Sequence, residues 1–210
     1  MQDDRGLKRV LTMSWAYKLF QAAVGSGRSK DWISSRFWNI AAGQKILDIG
    51  CGPGNAVRHF PAGVKYVGFD ISEAYIAHAR SKFPGDPDKT FLVGTAEGFI
   101  ERLPEPMQDS DLVIINGLLH HLEDNEALTA LTLARKALAP GGRLVCVEPS
   151  FLVHQAPISR WLLKRDRGRN VRSEPEWKAL FAQAFDNCDT FVLTGLLRIP
   201  YTHIIVEARR

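Results

Sequence analysis

The stretch Ile46-Leu-Asp-Ile-Gly-Cys-Gly-Pro-Gly-Asn55 decides the fold of this chain. A short, mostly apolar run leads directly into a turn with three glycines, and a segment compatible with a helix follows. Glycines in such a turn let backbone N–H groups approach a ligand closely at a helix N-terminus. The pattern predicts a strand over 45–49, a ligand-binding turn and a helix over 55–60. A tight strand-to-helix turn without a ligand is the alternative.

An acidic residue, Asp70, follows Gly50 by twenty positions, at the end of the next apolar run. A carboxylate at this place accepts hydrogen bonds from the two hydroxyls of a ribose, although it is also suited to cap a helix. The dinucleotide pattern GxGxxG requires a small residue where Asn55 stands, which disfavours a nicotinamide-dependent reductase. The sequence therefore predicts a ligand that contains a nucleoside.

Short apolar runs alternate with helical patterns outward from this stretch, which predicts an α/β fold. Their nearly continuous apolarity favours strands that are buried on both faces of a parallel sheet. The predicted strands are 45–49, 65–69, 90–93, 112–115 and 143–147, with 190–193 and 202–207 as a hairpin at the sheet edge. The predicted helices are 55–60, 72–83 and 125–138, and Asp124 is the expected cap of the last.

The chain of 210 residues predicts one domain with two attachments. Residues 44–149 form the expected ligand-binding core and residues 190–208 the C-terminal strand hairpin. Residues 7–41 are expected to form a helical lid, since aromatic side chains recur there ahead of the first strand. Residues 151–185 are longer than an ordinary connection and are expected to cap the carboxyl ends of the strands on the substrate side.

Five motifs make the chain resemble a class I S-adenosylmethionine-dependent methyltransferase of the small-molecule type. They are the loop Asp48 to Gly54, Val67-Gly-Phe-Asp-Ile-Ser72, Val93-Gly-Thr-Ala-Glu97, Asp111-Leu-Val-Ile-Ile-Asn116 and Leu138-Ala-Pro-Gly-Gly-Arg-Leu144. The resemblance implies a Rossmann-like, seven-stranded, mostly parallel sheet with a reversed last strand and helices on both faces. It also implies S-adenosyl-L-methionine as the cofactor.

The cofactor-binding residues that the resemblance implies are Asp48, Gly50, Cys51, Gly52, Gly54, Asp70, Ile71, Thr95, Ala96, Glu97 and Asn116. The glycine loop would face the methionine part, Asp70 the ribose, and Ala96 with its neighbours the adenine. The family often has an acid where this chain has Thr95, and a hydroxyl accepts more weakly from an amino group. Adenine contacts are therefore expected to shift to Glu97 or the backbone. Asn116 is either a cofactor contact or a turn-former.

Two histidines, His120 and His121, follow the fourth strand, where a loop borders the methionine end of the cofactor in the family. Their titration range suits a general base, although the same loop serves only for packing in some family members. Glu148, at the end of the fifth strand, is a second candidate base. We find no carboxylate pattern that calls for a metal, and no sequence typical of nucleobase amino or cytosine carbon methylation. A small-molecule acceptor with an oxygen or nitrogen atom is thus favoured by elimination.

Charge is distributed unevenly: residues 1–45 carry 8 Lys/Arg against 3 Asp/Glu, residues 46–148 carry 9 against 14, and residues 149–210 carry 10 against 6. The densest basic run includes Arg165, Arg167, Arg169 and Arg172, and arginine forks bind carboxylates and phosphates. These arginines either hold an anionic acceptor or form a solvated basic surface. An RNA methyltransferase would be supported by the basic ends alone, so nucleic acid is not expected as a partner.

Composition fits a globular protein, because 45% of residues are hydrophobic and 24% are charged. Three cysteines without CxxC spacing favour a reducing, cytoplasmic compartment, and no membrane span or signal peptide is expected. The remaining alternative from another class is a protein that binds the cofactor without catalysis, since a fold does not by itself imply turnover.

Overall fold

The computed structural model describes residues 31–164, 170–196 and 200–210. Its strands are β1 Lys45–Ile49, β2 Lys65–Asp70, β3 Lys89–Val93, β4 Ser110–Asn116, β5 Leu138–Phe151, β6 Arg172–Ser173, β7 Cys188–Thr194 and β8 Thr202–Arg209. Its α-helices are α1 Glu73–Lys82, α2 Ala96–Ile100, α3 Asp124–Ala137, α4 Pro157–Lys164 and α5 Glu174–Phe181. Shorter helical turns are Ser34–Trp38, Ala56–His59, Glu105–Met107 and Leu119–His121.

The sheet has the order β3-β2-β1-β4-β5-β8-β7, and the two-residue strand β6 pairs with the end of β5. β1 to β5 pair in parallel, whereas β8 is antiparallel to both of its neighbours. The predicted seven-stranded, mostly parallel sheet with a reversed last strand is therefore confirmed, with β6 as an addition. Because the parallel strands all end at one edge, the loops after β1, β2, β4 and β5 lie along that edge.

Helices cover both faces of the sheet, as predicted. Alternate strand residues enter two separate hydrophobic clusters, because successive side chains point to opposite faces. One cluster joins strand residues to α3 and to Trp177 and Phe181 of α5. The other joins them to α1 and to Phe37 and Trp38 of the turn before β1. The central strands are therefore buried on both sides, which explains their nearly continuous apolarity.

The predicted helices differ from the observed ones mainly at their ends. The helix predicted over 55–60 is the four-residue 3₁₀ turn Ala56–His59, since Pro61 forces Phe60 into an extended conformation. The predicted cap Asp124 is the first residue of α3, and Glu123 is the N-cap in a reciprocal capping box with Glu126. α2 was not predicted.

The two predicted attachments are described in part. Residues 7–30 of the expected lid lie outside the described residues, and 31–41 include the turn whose Phe37 and Trp38 are buried. Within 151–185, α5 packs into the core and does not cap the strand ends. A capping role of residues 151–164 stays a prediction. In the described parts of the chain, no helix is long and apolar enough to cross a membrane.

Candidate active site

The glycine loop after β1 has three glycines with positive φ: +73° at Gly50, +53° at Gly52 and +69° at Gly54. A Cβ at Gly50 would lie 2.9 Å from the side chain of Leu118, and one at Gly54 would lie 3.0 Å from Phe91. A Cβ at Gly52 would meet nothing within 4 Å. A side chain at Gly50 or Gly54 would therefore displace a neighbouring side chain, whereas the Cα atom of Gly52 faces open space.

Asp70 ties the end of β2 to this loop. Its Oδ2 accepts a hydrogen bond from the backbone N–H of Gly52 at 3.0 Å, and its Oδ1 accepts one from Ser72 at 2.9 Å. A carboxylate has about four acceptor positions, so these two bonds leave capacity for ligand hydroxyls. Asp70 thus orients the loop and begins the turn into α1, while its partly buried carboxylate stays at the edge of the sheet.

Apolar side chains are exposed beside Asp70. Val93 pairs with Asp70 in the parallel register of β2 and β3, and its exposure is 42%. Ile71 follows Asp70 directly and is 73% exposed. Two large apolar side chains are thus exposed at the ends of adjacent strands, and apolar side chains of this kind suit the faces of a flat ring. Val93 was not predicted as a site residue, although its place at the end of a strand is visible in the sequence.

A buried carboxyl group, Asp48, lies behind the glycine loop. The hydroxyl of Tyr66 donates a hydrogen bond of 2.8 Å to its Oδ2. Burial raises the pKa of Asp48 to about 7, the Tyr66 hydrogen bond opposes this rise, and the negative charge of Asp70 adds to it. Burial also raises the pKa of the Cys51 thiol, so this cysteine is a small buried side chain of the loop and not a reactive thiolate.

Sequence reasoning missed Tyr66, but a signal for it was present. Gly68 interrupts an apolar strand, and a glycine at such a place indicates a close approach of another group. An added Cβ at Gly68 would lie 2.5 Å from the Tyr66 hydroxyl. The hydroxyl therefore crosses the position of Gly68 to reach Asp48, which is the register partner of that glycine on β1.

His120 and Glu148 meet at the ends of β4 and β5. The Nδ1 atom of His120 lies 2.6 Å from Oε2 of Glu148, and both side chains are buried. Backbone N–H groups of Leu118 and Leu119 donate to Oε1 at 2.9 and 2.7 Å, and that of His120 donates to Oε2 at 3.3 Å. Oε1 of Glu148 therefore accepts from two N–H groups of the turn, and Oε2 contacts both the turn and the ring of His120. This placement does not suit the separate base that the sequence predicted.

His121 is exposed, and its ring centroid lies 4.0 Å from that of His120. The side chains of the two histidines are thus brought to one turn, but the carboxylate contacts His120. Gly117 precedes the turn with φ +67°, and a Cβ there would lie 3.8 Å from Cε1 of His120. Asn116 ends β4, half-buried and adjacent to this glycine.

The predicted adenine segment has a local structural role. Thr95 is the N-cap of α2, and its hydroxyl accepts a hydrogen bond of 3.1 Å from the backbone N–H of Gly98. Ala96 begins the helix and Glu97 is exposed in its first turn. The hydroxyl of Thr95 is thus engaged with its own helix. A contact between adenine and Glu97 or Ala96 stays a prediction.

Arg172 is placed differently from the prediction. Its side chain is 9% exposed, and its guanidinium bonds to Asp124 at 2.6 and 3.0 Å and to backbone carbonyl oxygens. It is therefore engaged within the protein and is not available to hold an anionic acceptor. Arg165, Arg167 and Arg169 lie outside the described residues. Nowhere in 31–164, 170–196 or 200–210 do three His, Cys, Asp or Glu side chains group as a metal site would require.

Known proteins match this chain in sequence and in fold. The family described as "Methyltransferase domain" matches residues 46–142. A trans-aconitate 2-methyltransferase of Methylobacterium nodulans is 32% identical over 149 residues, which is 69% of this chain and 50% of that protein. The chain thus spans about half the length of the trans-aconitate relatives that it matches.

Two solved structures show the same fold at low identity. One is Haemonchus contortus phosphoethanolamine N-methyltransferase 2 in complex with S-adenosyl-L-methionine, with a TM-score of 0.67 at 17% identity. The match covers 90% of this chain and 53% of that protein. The pyocyanin biosynthetic protein PhzM has a TM-score of 0.67 at 18% identity and covers 88% of this chain and 55% of its own. These likenesses show that the fold of this chain is shared.

Proposed function

Because the chain belongs to the class I S-adenosylmethionine-dependent methyltransferases, we propose that it transfers a methyl group from this cofactor to an oxygen or nitrogen atom of a small molecule. When bound, the cofactor supplies an electrophilic methyl group on a sulfonium centre. The residues at the sheet edge must then hold the cofactor, orient the acceptor and, where the acceptor atom carries a proton, take it up.

The glycine loop and its neighbours fit S-adenosylmethionine. Gly52 faces open space with its backbone, Asp70 has acceptor positions left for ribose hydroxyls, and Ile71 and Val93 offer apolar surface to the adenine. Each part of the cofactor thus has a chemically suitable neighbour. We assign Asp48 a supporting role behind the loop, because its carboxyl is buried against Tyr66.

The buried pair of His120 and Glu148 carries the proposal of catalysis. A carboxylate that accepts from Nδ1–H fixes the tautomer of an imidazole, so that Nε2 carries the lone pair. An oriented imidazole of this kind accepts the proton of an acceptor O–H or N–H as the methyl group is transferred. His120 is therefore the proposed general base. Glu148 is a positioning residue, since its own oxygens are held by the turn.

A cavity at the same edge of the sheet supports a small acceptor. It has a volume of about 410 Å³ and lies between the end of β5, the start of α4 and the hairpin of β7 and β8. Small-molecule sites commonly measure about 300–1,000 Å³. Among the residues that line the cavity, the side-chain amide of Gln155 donates to the hydroxyls of Ser159 and Thr202 at 3.0 and 2.9 Å. Gln155, Ser159 and Thr202 are neutral, and the same lining includes the imidazole of His154. An anionic acceptor stays a prediction.

The test measures both cofactor binding and methyl transfer. Wild-type protein is titrated calorimetrically with S-adenosylhomocysteine and then incubated with S-adenosylmethionine and a panel of hydroxyl, amine and carboxylate metabolites. We expect binding that Asp70→Ala abolishes, and methylation that His120→Ala lowers by a factor of about 10²–10⁴. His121→Ala is the matched control and should retain most of the activity, because His121 is exposed in the same turn.

Three outcomes would contradict the proposal or a part of it. Unchanged binding in Asp70→Ala would mean that the cofactor does not lie at the glycine loop. Cofactor binding without turnover on any acceptor class would favour the non-catalytic alternative. Equal activity of His120→Ala and wild type would remove the proposed base while leaving methyl transfer itself intact.

A further inference from the structure

Arg172 donates hydrogen bonds to the turn that contains His120. Its Nη1 donates to the carbonyl oxygen of Leu119 at 3.1 Å, and its Nη2 donates to that of Leu122 at 3.1 Å. Its Nε and Nη2 also donate to Oδ1 of Asp124 at 3.0 and 2.6 Å. The guanidinium therefore touches the turn on both sides of the histidine, and it is linked to the first residue of α3.

A neighbouring backbone contact completes this attachment. The N–H of Asn170 donates to the carbonyl oxygen of His120 at 3.0 Å, and the carbonyl oxygen of Asn170 accepts from Nη1 of Arg172. Asn170 and the first residue of β6 thus bind three carbonyl oxygens of the turn, those of Leu119, His120 and Leu122. Glu148 holds the N–H groups of the same turn. The carboxylate of Glu148 therefore binds backbone N–H groups of the turn, and the guanidinium of Arg172 binds its carbonyl oxygens.

The guanidinium suits this position better than an ammonium group. Three carbonyl oxygens and one carboxylate oxygen surround it, and arginine offers five N–H donors in a planar fork. Its Cζ lies 4.9 Å from the centroid of the Trp177 ring, which covers one face of the cation. The Asp124 side chain is 84% exposed, so the counter-charge is placed at the surface and costs little desolvation.

We propose that Arg172 is a positioning residue for catalysis, which holds the turn so that the Nδ1 atom of His120 stays on Glu148. This rests on the proposed role of His120 as the base. Without the guanidinium, the carbonyl oxygen of Leu122 loses its side-chain donor, and that of Leu119 keeps only the backbone N–H of Leu122. The turn then depends on the Glu148 contacts and on the backbone hydrogen bond from Asn170. Small displacements of a catalytic group cost large factors in rate, because reacting atoms must be aligned.

The test uses Arg172→Lys and Asp124→Asn, with Arg135→Ala as the matched control. Arg135 also pairs with an aspartate, Asp186, and donates to the backbone carbonyl of Ala184, but it lies on the far part of α3. The first readout is the low-field proton signal of His120 Nδ1–H, identified by its loss in Glu148→Gln. The second readout separates kcat from the KM for S-adenosylmethionine.

We expect Arg172→Lys to broaden or remove the His120 proton signal and to lower kcat at least about tenfold, with an unchanged KM for the cofactor. Asp124→Asn should weaken the His120 proton signal and lower kcat by less than Arg172→Lys does. Arg135→Ala should have the proton signal and the kcat of wild type. The proposal is overturned if both variants at the turn retain the proton signal and a kcat within twofold of wild type. It is also overturned if the cofactor KM rises while kcat is constant.

These readouts separate this proposal from the proposed function. The proton signal is measured without acceptor or turnover, so it reports on the Arg172 contact even if no methyl acceptor is found. Loss of the signal in Arg172→Lys together with unchanged kcat would mean that the contact holds the histidine but that His120 is not the base. Retention of the signal would refute the positioning role itself.

Discussion

The buried carboxyl of Asp48 makes the stability of the fold depend on pH. Asp48 is 3% exposed, and its pKa is about 7 in the folded protein, against an ordinary value of 3.8. The folded state therefore binds a proton that the unfolded chain releases between these two values. Stability must fall as the pH rises through this range, because the buried group is ionised against the cost of its desolvation.

The size of the effect follows from the two pKa values. Each unit of difference corresponds to about 1.4 kcal/mol, so the full effect is about 4 kcal/mol at pH well above 7. Between pH 5 and pH 7 the contribution of this one group to the free energy of unfolding falls by about 2 kcal/mol. Asp48→Asn keeps an acceptor for the Tyr66 hydroxyl and removes the ionisation, so this variant should lack that fall.

The assay is urea unfolding of wild type and Asp48→Asn at pH 5, 6, 7 and 8 without cofactor. The difference in free energy of unfolding between the two proteins should shift by about 2 kcal/mol from pH 5 to pH 7 in favour of the variant. Asp189→Asn, at an exposed position of β7, is the control and should show no such shift. A difference that stays constant with pH would show that Asp48 is ionised throughout, and would refute the reasoning.

Three further substitutions test the glycine loop and the packing behind the site. Gly54→Ala should lower the free energy of unfolding by about 2–4 kcal/mol in urea titrations, because the strain of a positive φ is added to a close contact with Phe91. Gly52→Ala should lower it by about 1 kcal/mol, because only the strain of the positive φ applies there. Gly52→Ala should instead weaken S-adenosylhomocysteine in calorimetry, and equal stabilities of the two variants would contradict this assignment. Trp177→Phe removes the indole donor to the carbonyl oxygen of Pro149 and should cost about 1–2 kcal/mol of stability in the same titrations; an unchanged midpoint would mean that the bond contributes nothing.

The glycine loop shows why part of the site was predictable. Strand, turn and acidic residue follow one another in the chain, and Gly52 and Asp70 become neighbours because β1 and β2 pair in parallel. Such an arrangement needs no knowledge of distant segments. The strand positions were predictable for a similar reason, since each strand is a short apolar run bounded by turn residues. The sheet order was not, because β1 pairs with β4 and β5 pairs with β8, which do not follow one another in the chain.

The roles of charged side chains were less predictable. Arg172 belongs to a basic run that suggested a surface for anions, yet its guanidinium lies inside the protein on the turn of His120. Glu148 suggested a second base, yet its oxygens accept from that same turn. Residue type and spacing do not tell whether a charge faces solvent or a backbone 28 or 53 positions away.

The sequence by itself thus determined the parallel strands, the C-terminal hairpin and the glycine loop, because each depends on a local pattern or on successive elements. The reversed last strand was implied by the family resemblance, since it pairs with the distant strand β5. Only the tertiary structure decided that Tyr66 reaches Asp48, that His120 contacts Glu148 while His121 stays exposed, and that Arg172 secures their turn. These contacts depend on strand register and on the packing of α5 against α3. Hydrogen bonds between buried groups are formed only where distant backbone segments meet within about 3 Å, and no local pattern records that distance.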